Sequence, residues 1–538
     1  MVTWALNRVT FRVKRWLDDE EFRELLEFSD YIGRISGYSV FEVNTSKMRR
    51  AGYTFRDILA KLRDIEGIVD EDLSMLEERV RDELRVEVYL HRDGWLRIRS
   101  KTYLKPLMQK LKVYLPYDRQ ERAYKAPAHM YSTIVKRLED EGMNVDDKIG
   151  LLRARLPRRI EFQGRLRPYQ EEALGGWRKN GYRGVIALPT GAGKTVIAIA
   201  GIAELEVTTL IVVYTIEHIK QWIEAIDRFT NARGLVGAYY GEEKRLAPIT
   251  ITTYQSAYKK LDALAGRYAL VVFDEAHHLP ADKFRAIALN MPAPYRLGLS
   301  ATIKREDGKH EEIFPLVGGI VYHTSPGELT RQGYLASYRI IPVRVDLDKR
   351  EADLYKKLRT QYQALARGRT FDEILEAAKR GDQTAIQALK IHAEMRNIIQ
   401  YSEAKIRKVE QIVSRELKRG SKIIVFTQYR RQAEEIARRV NGLLLHGGLD
   451  DSSRQRVLRK FKEADSGVLI VTTVGDEGLD IPDANVGVLV SGTGSPRQFI
   501  QRLGRLLRPG EGKKAVLYEV IVSGTSEEAQ ARKRRRLS

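Results

Sequence analysis

The sequence predicts an α/β protein: two tandem doubly wound parallel-sheet domains, a helical insertion between them, and one or two small α+β modules ahead of them. Three observations predict it. Short apolar runs recur between helical patterns in the region before residue 345, among them Val185-Ile186-Ala187-Leu188, Leu210-Ile211-Val212-Val213, Leu270-Val271-Val272-Phe273 and Arg296-Leu297-Gly298-Leu299. Runs apolar on both faces suit the buried strands of a parallel sheet. The texture returns after residue 415, in Ile423-Ile424-Val425-Phe426, Leu443-Leu444-Leu445, Val468-Leu469-Ile470-Val471, Val486-Gly487-Val488-Leu489-Val490 and Val516-Leu517-Tyr518. Between the two stretches, Leu, Ala, Lys, Arg and Glu dominate and the pattern is helical. A chain of 538 residues is also too long for one core at about 100–200 residues per domain. The boundaries fall at 1–160 for the α+β region, 161–345 and 413–525 for the sheet domains, 346–412 for the insertion and 526–538 for a basic tail.

In the first region, Thr54-Phe55-Arg56-Asp57 reads as a capping box opening a helix, since a hydroxyl and a carboxylate three residues apart satisfy each other's backbone N–H groups. The run from Val86 to Ile98 alternates around Asp93-Gly94, a hairpin signal. Trp4, Trp16 and Trp95 lie here and are expected in the cores of small modules. At the other end, Arg532-Lys533-Arg534-Arg535-Arg536 is expected to be a solvated, disordered end.

Composition narrows the chemistry. There is no cysteine, so disulfides, thiolate nucleophiles and cysteine-held zinc or iron–sulfur centres are excluded. No run of about 18 apolar residues suggests a membrane span, and no apolar core follows Met1-Val2-Thr3-Trp4 as a secretory signal would have. Lys and Arg outnumber Asp and Glu by 93 to 72, a net charge of +21. Such an excess attracts polyanions and makes nucleic acid a natural partner.

The motifs are more specific. Leu188-Pro189-Thr190-Gly191-Ala192-Gly193-Lys194-Thr195 follows an expected strand and opens an apolar helix, the context of a phosphate-binding loop. Its glycines let backbone N–H groups face phosphate oxygens at a helix N-terminus. Lys194 is placed to reach the β- and γ-phosphates and Thr195 to ligate Mg²⁺. The general pattern begins with glycine where this chain has Leu188. Downstream, Val271-Val272-Phe273 ends in Asp274-Glu275-Ala276-His277. Asp274 is the candidate metal ligand and Glu275 the group that polarises the attacking water. His277 is expected to make an interdomain hydrogen bond and His278 to be structural. In the second sheet domain, Gln501-Arg502-Leu503-Gly504-Arg505-Leu506-Leu507-Arg508 places Arg505 and Arg508 about one helical turn apart, where they can present cations to the γ-phosphate.

Taken in order, these elements resemble the superfamily 2 helicases, whose two motor domains are RecA-like, over residues about 165–525. Arg167-Pro168-Tyr169-Gln170 is similar to their adenine-side element, Ser300-Ala301-Thr302 to the motif that links hydrolysis to strand movement, and Thr472-Thr473 with 476–480, ending in Asp480, to the segment that touches both nucleic-acid backbone and nucleotide. The stretch from Gln501 to Arg508 looks like the arginine-finger motif. Within that superfamily the chain resembles the XPB helicases. Arg305-Glu306-Asp307 matches the short motif that family uses as a strand-separating wedge, and the insertion lies where the family has a thumb-like module. Before residue 160 the likeness is one of position alone, to a damage-recognition module. The resemblance implies ATP and Mg²⁺ as cofactors, single-stranded and forked DNA as partner, opening of duplex DNA with 3′→5′ polarity in nucleotide excision repair or transcription, and a partner endonuclease. It also implies a nucleoid-associated cytoplasmic location for an archaeal protein, or a nuclear one for a eukaryotic one. Two other classes stay in play: a double-strand translocase or remodeller that does not separate strands, and a non-motor protein with a vestigial nucleotide site. An RNA helicase is a variant of the first reading.

Overall fold

The computed structural model describes residues 9–101, 104, 115–241, 243–301, 314–335, 337–472, 484–491 and 514–536. The chain divides into two compact units, 1–153 with 289–294, and 154–288 with 295–538.

The first unit holds two sheets. A three-stranded antiparallel sheet runs in the order Thr10–Val13, Tyr38–Val43, Ser29–Ile35. Its inner face carries Phe11 and Phe41, packed with Phe28 just ahead of strand Ser29–Ile35 and with Ile58 and Leu62 of helix Phe55–Asp64. That helix begins where the sequence predicts: Thr54 and Asp57 form the reciprocal capping box. The second sheet has five strands, in the order Tyr117–Asp118, Ala123–Pro127, Trp95–Ser100, Arg85–Leu90, Asn144–Asp147. Its central hairpin is the one expected, and Gly94 turns it at φ 80°, a value that favours glycine. The tryptophans depart from expectation. Trp16 is 75% exposed, with the Arg34 guanidinium 3.7 Å over its ring, and Trp95 is 40% exposed. The alternation that puts Leu96 and Ile98 inside leaves Trp95 on the other face. Trp4 lies outside the described residues.

The second unit holds the two α/β domains. The first sheet has eight strands, in the order Glu243–Lys244, Val236–Tyr240, Ile249–Thr253, Thr209–Val213, Leu270–Phe273, Tyr295–Ser300, Arg183–Ala187, Ile320–His323. All pairings are parallel except that of the short edge strand Glu243–Lys244. Thr209–Val213, Ile249–Thr253 and Leu270–Phe273 are buried at every residue, which is why the first and last read as continuous apolar runs. The second sheet has six parallel strands, in the order Ser337–Val345, Lys514–Val522, Val486–Leu489, Lys422–Thr427, Gly467–Thr472, Leu443–Leu445.

The segment between the sheets is helical as predicted, with helices Lys349–Ala366, Phe371–Lys379, Gln383–Tyr401 and Glu403–Leu417. It does not stand apart. Tyr355, Leu358, Ile391, Met395 and Ile399 share one apolar core with Ile423 and Val425 of the second sheet, and Ile406, Val409, Ile412 and Val413 join the same core. A satellite core of Ala366, Ile374, Ala385 and Ala388 holds the helices to one another.

The basic end is a correction. Residues Ser526–Arg536 form a helix rather than a disordered tail. Ala531 is fully buried, and the Glu527 carboxylate is 2.6 Å from the ammonium of Lys405, itself fully buried. The other Glu527 oxygen accepts the Val522 N–H at 3.0 Å. Two acidic residues ahead of the basic run anchor it, Glu527 and also Glu528, which is 3.5 Å from the Arg344 guanidinium, and the charge count of the run alone does not reveal that. No helix among the described residues is long and apolar enough to cross a membrane.

Candidate nucleotide site

Strand Arg183–Ala187 delivers the chain to the loop of residues 188–193, and helix Lys194–Leu205 leaves it. Leu188, where the general pattern has glycine, is fully buried and its N–H donates to Ser300 O at 2.9 Å. It prolongs the strand pairing of Ala187 with Ser300 by one rung, so a large apolar residue suits the position. Gly191 and Gly193 have φ of 85° and 78°, where a side chain would be strained. A Cβ on Gly193 would also lie 2.5 Å from Gln170 Nε2. Lys194 Nζ donates to the carbonyls of Leu188 at 3.0 Å and Pro189 at 3.4 Å, folding the lysine back over the loop. Thr190 Oγ1 is buried and has no hydrogen-bond partner among the described residues, a group that a phosphate oxygen would satisfy.

The Arg167 element braces this loop from outside. Gln170 Nε2 and Tyr169 OH both donate to Ala192 O, at 3.0 and 2.8 Å. Gln170 Oε1 accepts the Arg167 N–H at 2.9 Å, while the Arg167 guanidinium donates to Tyr334 O at 3.2 Å and lies over the Tyr334 ring. The 167–170 segment and the glycine-bearing loop are thus one hydrogen-bonded piece.

The acidic pair sits at the end of Leu270–Phe273, with Tyr295–Ser300 between that strand and the loop's own strand. The Asp274 carboxylate is held on both oxygens: Trp222 Nε1–H donates to Oδ2 and the Glu275 N–H to Oδ1, each at 2.9 Å. Tyr254 OH fixes the Asp274 backbone by donating to its carbonyl at 2.9 Å. Glu275 has φ 48°, rare for a side-chain-bearing residue. The bend turns its carboxylate toward His277, whose Nδ1 is 3.2 Å from Glu275 Oε2 and 3.5 Å from Ser300 Oγ. Glu275 Oε2 is close to that nitrogen but outside hydrogen-bond geometry. Burial and the adjacent Glu275 charge push Asp274 above the ordinary carboxylate value. Burial pushes Glu275 the same way, but the His277 contact and the charges of His277 and Lys194 outweigh it and hold Glu275 well below its ordinary value. Glu275 therefore stays ionised and able to orient and polarise a water.

His277 is 2% exposed and its Nδ1 lies beside Glu275 and Ser300 inside the first α/β domain. His278 is structural as expected, stacked on Tyr214 with ring centroids 4.1 Å apart.

The donor set fits a hard divalent cation. Thr195 supplies a hydroxyl in the first turn of the loop helix and Asp274 a carboxylate, and oxygen ligands suit Mg²⁺. Among the described residues no three His, Asp or Glu converge as a self-sufficient metal cage. Mg²⁺ is commonly held by one or two side chains with the substrate's phosphates. Held by Thr195 and Asp274, such an ion would supply positive charge to offset that of the phosphates.

The structure brings Arg167, Gln170, Thr190, Gly191, Ala192, Gly193, Lys194, Thr195, Asp274, Glu275 and Ser300 to one end of one sheet, with Ala301 next to Ser300. Thr472 closes a strand of the second sheet and is 3% exposed. Thr302, Arg305, Glu306, Asp307, Thr473, Asp480, Gln501, Arg505 and Arg508 lie outside the described residues. Sequence reasoning missed Trp222, Tyr254 and Tyr334. Each acts across 20 or more residues of chain, and no local pattern announces it.

A glycine-bearing phosphate loop, an acidic pair on a nearby strand end, and a second parallel sheet in tandem define the class: an ATP-hydrolysing enzyme of helicase superfamily 2. Residues 163–305 match the family described as type III restriction enzyme, res subunit, and residues 404–510 the helicase conserved C-terminal domain. The chain is 37% identical over 432 residues to a protein of Sulfurisphaera tokodaii named DNA 3'-5' translocase XPB2, covering 78% of this chain and 95% of that one. It is 33% identical over 382 residues to the DNA 3'-5' helicase XPB of Kineococcus radiotolerans, and 28% over 397 residues to the Saccharomyces cerevisiae general transcription and DNA repair factor IIH helicase/translocase subunit XPB/SSL2. It spans 62% and 43% of those two proteins. The chain belongs to the XPB family of DNA helicases and translocases.

Proposed function

We propose that this protein is an ATP-driven motor on DNA, moving 3′→5′ and opening duplexes at forks, with Mg²⁺ as the ion at Asp274 and Thr195 and with work in excision repair, transcription or both. The observation that carries the nucleic-acid part is a groove of about 450 Å³ at the carboxyl ends of strands Thr209–Val213, Val236–Tyr240 and Ile249–Thr253. Tyr214, Tyr239, Tyr240, Lys244, Lys259 and Lys260 line it. Lysines suit backbone phosphates and tyrosines offer faces for bases, with no demand on sequence. Strand ends Val213 and Phe273 are adjacent in the same sheet, so this groove and the acidic pair share one sheet edge. The relatives' printed names, DNA 3'-5' translocase and DNA 3'-5' helicase, supply the polarity and the choice of DNA.

Arg505 and Arg508 act in this reading as the cations that complete the nucleotide site, with Gln501 beside them. Arg305, Glu306 and Asp307 act as the wedge, and Thr473 and Asp480 as the second domain's contacts. A partner endonuclease belongs to the same proposal and would cut what the motor opens. The test is ATP turnover and strand separation measured together on no nucleic acid, single-stranded DNA, forked DNA, blunt duplex and RNA. DNA-stimulated turnover with fork opening is expected. Turnover stimulated by duplex without opening would favour the translocase or remodeller reading, for which the restriction-type match over 163–305 is the supporting observation. No stimulation by any nucleic acid would end the motor reading.

A further inference from the structure

Asp274 is the only carboxylate of the acidic pair with a fixed donor on each oxygen. The Oδ1 donor is the next backbone N–H, which the chain supplies whatever the side chains are. The Oδ2 donor is an indole 52 residues away in sequence, on helix Ile216–Phe229. Trp222 is 2% exposed, with Ile219 and Ile226 buried on the same helix face. Packing alone would accept another large apolar ring there. The indole N–H adds direction: it pins the carboxylate about its last torsion, and each oxygen keeps a lone pair for a further ligand. We infer that Trp222 is a positioning residue for the divalent cation of the nucleotide site, acting through the carboxylate of Asp274. The inference rests on the ATP-site reading and adds the residue that orients its metal ligand. Second-layer donors of this kind set ligand orientation, and losing one typically weakens metal binding about 10–100-fold.

The experiment uses the full chain with ADP and follows free Mn²⁺ by its paramagnetic resonance signal. Trp222→Phe is expected to weaken Mn²⁺ binding about 10-fold or more, while ADP binding in EDTA stays at the wild-type level. In an Asp274→Asn background, Trp222→Phe is expected to weaken Mn²⁺ no further, because its partner is already changed. A merely structural tryptophan would lower stability and leave Mn²⁺ affinity alone. If Trp222→Phe does not fold by circular dichroism, benzothienylalanine encoded at position 222 replaces it, exchanging the N–H for sulfur at nearly constant shape. Wild-type Mn²⁺ affinity in the folded variant overturns the inference. Wild-type protein that binds no ADP even without metal overturns the ATP-site reading, and the inference with it.

Discussion

In the first α/β domain, strand Arg183–Ala187 runs out into a loop whose backbone is bent open by Gly191 and Gly193. In the second, strand Lys422–Thr427 runs out into a knot of side-chain amides and hydroxyls. Gln432, fully buried, is its centre: its Oε1 accepts from the hydroxyls of Thr427 and Ser491, and its Nε2 donates to Gln400 O. The Gln428 N–H, which could have faced a ligand, donates to Ser491 Oγ at 2.9 Å. Both strands lie inside their sheets, flanked by parallel neighbours. What differs is whether the polar groups at the strand end are left for a ligand or used up by each other. The layered architecture offers a site at every such end, and a few residues at the junction decide which one opens.

Substitutions can break or sharpen this contrast. The largest effect is expected for Lys194→Ala, which removes the cation that spans the open loop: ATP turnover should fall about 10²–10³-fold or more, with weaker nucleotide binding, as read by phosphate release and ADP titration. Retained turnover would mean that the open end is not the phosphate site. Glu275→Gln should keep ATP binding and slow hydrolysis by about 10²–10⁴-fold, seen as a bound-nucleotide complex that turns over slowly. In the second domain, Gln432→Ala removes the acceptor shared by the Thr427 and Ser491 hydroxyls and the donor to Gln400 O and should cost about 1–3 kcal/mol in urea unfolding, with ADP affinity unchanged. An equal loss of ADP affinity would show that the two strand ends are not independent. The smallest effect belongs to Gly193→Ala. The left-handed backbone costs alanine about 1–2 kcal/mol and Gln170 must shift, so a modest rise in KM for ATP is expected, while folding persists.

The open end was legible in the sequence and the closed one was not. A phosphate loop needs its residue types at fixed local spacing, so Gly191, Gly193, Lys194 and Thr195 can be read in a row, and Asp274-Glu275 follows from an apolar strand that stops. The strands were legible for the same local reason, since burial on both faces leaves continuous apolar runs. The Gln432 knot joins residues from Gln400 to Ser491, and Trp222 meets Asp274 across 52 positions. Such contacts are products of the fold, and isolated glutamines, serines and tryptophans carry no period. Trp16 misled because a tryptophan is apolar enough to suggest a core, whereas here a guanidinium covers its ring at the surface. The basic end departs from expectation because the anchoring charges, Glu527 and Glu528, lie just ahead of the run and not in it.

Glu527 gives the helix Ser526–Arg536 a mechanical meaning. Lys405 is held in the interior by a carboxylate that arrives 122 residues later in the chain, so the second domain is bolted by a helix that follows its last strand. Cutting the chain after strand Lys514–Val522 would trim no ornament. It would withdraw the Glu527 carboxylate from a fully buried ammonium, a loss on the order of 3–5 kcal/mol. A protease that nicks the linker at 523–525 should therefore loosen a domain whose own strands it never touches.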